Sequence, residues 1–128
     1  MSTAYWCVLI SAFLPYVWTV LAKGSGQRYD NRDPRAWLAR QQNPLSLRAN
    51  AAQLNAFEAF APFAAGVLMA QVAGVDPGFV SLLAIAFVAF RVLHGIFYVT
   101  GWHYLRSAAW VGGYLCVLAL MGNAAMAI

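Results

Sequence analysis

The first 22 residues of this chain and its last 22 contain no charged side chain. Each stretch is close to the roughly 20 apolar residues that a helix needs to cross a bilayer. Few environments accept two such ends in a chain of only 128 residues. Charged residues make up 9% of the whole, where a soluble domain has about a quarter. Hydrophobic residues make up 62%. The chain is predicted to be an all-α integral membrane protein.

Four spans are predicted, at about 5–22, 49–73, 79–99 and 107–127. The second and third are joined by the Gly- and Pro-rich turn "GVDPG", the third and fourth by the short "TGWHYLR". Short links make consecutive helices antiparallel neighbours, so the expected fold is an up-down four-helix bundle forming one domain over 1–128. The first span lacks the basic start of a signal peptide and is longer than the usual apolar segment of one, so it is expected to be a retained helix, kinked at Pro15.

Six of the eight basic residues fall in the first connection, 23–48: Lys23, Arg28, Arg32, Arg35, Arg40 and Arg48. Arg106 lies in the third connection, and the second has only Asp76. The positive-inside rule then places the first and third connections in the cytoplasm and both termini outside. The net charge of +4 is thus topological; it calls for anionic lipid headgroups as partners and not for nucleic acid. Cys7 and Cys116 lie at different depths, which argues against a disulfide between them.

Polar residues inside a membrane are costly and usually face a bundle interior or cavity. Arg48, Asn55 and Glu58 fall within about 80° on the second span, and Arg91, His94 and Tyr98 within about 60° on the third. Glu58 and Arg91 lie at similar depths, about 15 Å from the inner ends of their helices. They are therefore expected to pair. Gln53 and Asn50 point away from this stripe, toward packing between helices or subunits. Arg48, Arg91 and Arg106 outnumber the one buried carboxylate. The second and fourth helices also present their N-termini at that end, with Ser107 at a natural N-cap position. Such a pocket suits a small anion that carries one ammonium group.

Three segments resemble the signature of the MAPEG family, the membrane-associated proteins in eicosanoid and glutathione metabolism. "RANAAQLNAFEAFAPF" resembles its second-helix pattern through Arg48, Gln53, Asn55, Glu58, Phe60 and Pro62. "RVLHGIFY" resembles the third-helix pattern of the prostaglandin E synthase branch through Arg91, His94 and Tyr98. "RSAAW" resembles the opening of the fourth helix through Arg106 and Ser107, and "YDNRDPRAW" looks like the first connection of bacterial members. Three positions depart from the pattern: Ala51 and Leu54 stand where members often or sometimes have arginine, and Trp110 where many have tyrosine.

The resemblance implies a homotrimer, in the bacterial inner membrane, with glutathione as co-substrate bound between subunits near the cytoplasmic face, and no metal. It implies that Glu58 holds the γ-glutamyl amino group and Asn55 a peptide group. Arg48, Arg91, His94 and Tyr98 would orient the rest of the tripeptide. Arg106, with Ser107, would stabilise the thiolate for attack on an apolar electrophile or a lipid hydroperoxide. The expected activity is that of a glutathione-dependent transferase or peroxidase. The alternative is a non-catalytic scaffold or accessory subunit in which Glu58–Arg91 is a structural pair. A small multidrug-type transporter would need a carboxylate in the first span, which has no charge.

Overall fold

The computed structural model describes residues 1–128 and contains five helices and no strand: α1 (Ser2–Gly24), α2 (Pro34–Arg40), α3 (Pro44–Val72), α4 (Pro77–Thr100) and α5 (His103–Ala127). Three of them, α1, α4 and α5, are long and apolar enough to cross a membrane. The fourth long helix, α3, carries all its polar residues but Gln71 in its first half and packs against all three. The protein is an all-helical integral membrane protein.

Local sequence sets most helix starts. Asp33, Asn43 and Asp76 each accept hydrogen bonds from the first turn that follows, and each is followed by proline at the first helical position. The Asn43-Pro44 start lets α3 begin five residues earlier than the predicted 49, which places Arg48 on the helix. At the far end of α4, Gly101 takes the left-handed conformation (φ +82°) that closes a helix with least strain. That leaves Trp102 as the only other residue between α4 and α5. Helix α5 therefore starts at His103, not 107, and Ser107 is not an N-cap. The cap is Trp102, which offers no side-chain acceptor.

The first connection is more ordered than its sequence suggests. It holds α2, whose Trp37 donates from Nε1 to the Arg28 carbonyl (2.8 Å) and meets Tyr29 edge to face. Ser46 Oγ lies 2.8 Å from the carbonyl oxygens of both Ala22 and Ser25, and its one proton bonds to either, tying the end of α1 to the start of α3. Helix α1 runs unbroken through Pro15. Cys7 and Cys116 are free and buried, though both belong to one apolar cluster. At the centre of that cluster Phe63 and Phe87 stack at 3.9 Å.

One close approach sets how α1 and α4 meet. Trp18 is buried with Ala52 and Ala56, and its ring lies over Gly95. A Cβ at 95 would sit 1.9 Å from Trp18 Cζ2. Gly95→Ala is expected to push Trp18 out and lower the thermal midpoint in detergent by about 5 °C or more. Trp18→Leu in the same chain should recover part of the loss. An unchanged midpoint would mean that Trp18 is not seated there.

Candidate functional site

The basic end of the bundle gathers polar side chains from α3, α4 and α5. Two cavities adjoin there. The deeper, of about 170 Å³, is lined by Asn55 and Glu58 of α3, Arg91 of α4 and Trp110 and Tyr114 of α5, over an apolar floor that includes Pro62, Phe87 and Val117. The shallower, of about 270 Å³, is lined by Asn55, His94, Tyr98, Arg106, Ser107, Trp110 and Val111. Asn55 and Trp110 belong to both, so the two form one polar recess with two ends.

Seven of the eight residues singled out from the sequence line this recess: Asn55, Glu58, Arg91, His94, Tyr98, Arg106 and Ser107. Arg48 does not. Its Nε donates to the Val99 carbonyl (3.0 Å), satisfying a free carbonyl in the last turn of α4. Nothing local in the sequence predicts that contact, because its partner is 51 residues away.

The expected Glu58–Arg91 ion pair is not formed. Arg91 Nη2 donates instead to Asn55 Oδ1 at 2.7 Å, and the only ion pair in the chain joins Arg32 to Asp30 on the exposed first connection. Asn55 lies one helical turn before Glu58, and the long arginine stem spans that offset. Glu58 is exposed on the open side of α3 while Arg91 is buried. The carboxylate and the guanidinium thus share a cavity wall without neutralising each other directly. The structural Glu58–Arg91 pair expected under the scaffold alternative is thus absent.

Much of the hydrogen-bonding capacity in the recess is unused within the chain. Glu58 accepts no hydrogen bond, and His94 Nδ1 is buried without a partner. Arg106 makes no hydrogen bond through its side chain; its guanidinium carbon stacks 4.4 Å above the Tyr98 ring. His94 meets the same ring edge to face. Arg106 is thereby aimed without being satisfied, so its donors stay available. Unpaired polar groups at membrane depth carry a large desolvation cost, which a bound polar molecule would relieve.

Trp110 and Tyr114 are the lining residues that the polar pattern missed, Trp110 having drawn notice only as a departure. Their signal was present in the spacing: 106, 110 and 114 follow at i, i+4 and i+8 on one face of α5.

A second concavity, of about 340 Å³, lies on the opposite side of α3. It is lined by Lys23, Arg35, Asn50 and Gln53 among others. Asn50 and Gln53 indeed face away from the Glu58 stripe.

The sequence pattern of the MAPEG family matches residues 3–126 of the 128. The chain belongs to the MAPEG family. No curated protein and no solved structure matches it. In this MAPEG protein the three motif segments, distant in sequence, meet at one recess. The family includes both glutathione-dependent enzymes and non-catalytic members, so membership alone does not fix the activity.

Proposed function

We propose that this MAPEG protein is a glutathione-dependent membrane transferase or peroxidase. The observation that carries the reading is the recess itself, where Glu58, His94, Arg106 and Ser107 surround a space with their polar groups unused. Glutathione is a net anion with one ammonium group, and the recess offers two guanidiniums and one carboxylate. Glu58 would take the ammonium and Asn55 a peptide group, with Arg91, His94 and Tyr98 orienting the rest. Arg48 would act from one step away, by fixing the end of α4.

The thiolate is the reactive form of a thiol, and positive neighbours favour it. Arg106 lies in the first turn of α5, where free backbone N–H groups and the helix dipole add to its charge. The thiol proton would leave to water at the mouth of the recess. In conjugation the sulfur bonds to an electrophilic carbon. In peroxide reduction it attacks the distal oxygen and breaks the O–O bond. The alkoxide takes a proton, and a second glutathione converts the sulfenic acid to a disulfide and water.

The reading includes a homotrimer in a bacterial inner membrane, termini outside and recess toward the cytoplasm. A closed ring needs two different faces that fit each other. The face that carries Glu58 and the concavity of Lys23, Arg35, Asn50 and Gln53 are two different faces of the chain, and would meet around the recess in such a ring. A carboxylate exposed at membrane depth is costly in an isolated chain, and a neighbouring subunit would cover it.

Titration calorimetry of glutathione into the detergent-purified protein, beside a mass measurement, tests this. Saturable binding at millimolar or lower glutathione by a particle of three chains is the expected result. A particle that binds no glutathione at several millimolar would overturn the reading.

A further inference from the structure

We infer that the Trp110–Tyr114 pair is a substrate wall that selects flat, conjugated carbonyl acceptors, such as planar enones or quinones, for addition of the glutathione thiolate. The inference rests on the function proposed above and names the class of its second substrate.

The two rings stand one helical turn apart on α5 and stack with centroids 5.2 Å apart and planes 14° from parallel. Trp110 lines both ends of the recess, and Tyr114 only the deeper one. The stack therefore runs from beside Arg106 and Ser107 toward Glu58 and Arg91. Both residues are nearly half exposed on the single chain, at 43% and 47%, so their rings are not sealed inside its own bundle.

The ordinary explanation for membrane tyrosines and tryptophans is the interfacial belt. Depth argues against it for Tyr114, which lies about 16 Å along α5 from its first residue. Its hydroxyl makes no hydrogen bond within the chain, and the residue lines the recess together with Glu58 and Arg91. A phenol at this depth that opens on the recess is a donor available to a ligand acceptor. Beside it, Pro62, Phe87 and Val117 offer nothing polar.

A flat π system stacks favourably on such rings, whereas an aliphatic chain gains only ordinary burial. A conjugated carbonyl adds an oxygen that can accept from the Tyr114 hydroxyl. The sulfur would bond to the β-carbon, and the π pair would move to the carbonyl oxygen. That oxygen takes up a proton, so the thiol proton given to water is matched by one regained. Glutathione and acceptor combine whole, and no oxidant or reductant is needed.

The test compares two acceptors with the same reaction and different shapes: 4-phenyl-3-buten-2-one, which is flat and aromatic, and non-2-enal, which is aliphatic. Each is assayed with wild type, Trp110→Leu and Tyr114→Phe, and glutathione affinity is measured for all three proteins. Trp110→Leu is expected to lower the flat-to-aliphatic ratio of kcat/KM about tenfold. Tyr114→Phe should lower the ratio of enone turnover to tert-butyl hydroperoxide turnover by a similar factor. Trp110→Phe, which keeps a π face, should restore most of the first ratio. Unchanged ratios with glutathione binding intact would overturn the wall alone, as would a wild type that binds glutathione and turns over neither enone. A wild type that binds no glutathione overturns the underlying reading as well.

Discussion

Glu58→Gln is expected to weaken glutathione binding roughly 30-fold, because it removes one charged hydrogen-bond acceptor and keeps the shape. The substitution is clean in this fold. Glu58 forms no ion pair, so the change strands no partner inside the bundle. Arg91 retains its bond to Asn55 at 2.7 Å. The thermal midpoint of the unliganded protein should hold, since Glu58 has no partner within the chain. A glutathione analogue lacking the amino group provides the second arm. It should bind wild type and Glu58→Gln almost equally, because the lost contact is to the ammonium. The two proteins are compared by calorimetry at one pH. If Glu58→Gln binds glutathione as tightly as wild type, the carboxylate does not hold the ammonium group. If it instead loses thermal stability, Glu58 serves packing between helices or subunits.

The membrane class and the motif residues were legible because they depend on local quantities. Uncharged runs, link lengths and the angular spacing of Asn55 with Glu58, or Arg91 with His94 and Tyr98, follow from helix geometry alone. What escaped was set by distant partners or by competing local signals. Arg48 reads as a site cation until Val99 is known to lie beside it. Depth matching paired Arg91 with Glu58, yet side-chain length let Asn55 take the contact. Ser107 looks like a cap because Arg106 and the charge-free run after it suggest a boundary. Gly101 closes α4 so tightly that α5 starts at His103. The start of α3 was written in Asn43-Pro44, but the charge of Arg48 drew the predicted boundary inward. Tyr114 escaped because a tyrosine in an apolar run reads as packing until it is seen to line the same cavity as Glu58 and Arg91.

Arg106→Ala should separate binding from chemistry. Its guanidinium contacts the Tyr98 ring and no other polar group of the chain, so its removal leaves Asn55, Glu58 and Arg91 to hold the ligand. Glutathione affinity is expected to fall by a factor of about three, the scale of a partly exposed charge contact. Turnover should fall much further, by roughly 10² to 10³, the usual effect of removing a donor aimed at developing or resident negative charge. The ultraviolet absorbance of bound thiolate gives the direct readout. An ordinary thiol titrates near about 8.5, and a neighbouring guanidinium lowers that value. In wild type the thiolate band should therefore persist well below that pH and disappear only in acid. In Arg106→Ala it should appear only as the pH rises toward the ordinary value, and turnover should rise with it. Arg106→Lys keeps the charge but loses the planar group stacked on Tyr98, so the band should return in part with imperfect aim. A thiolate band and a turnover in Arg106→Ala equal to those of wild type would move the activating role elsewhere. The α5 N-terminus and Ser107 would then be next, and Ser107→Ala would decide between them.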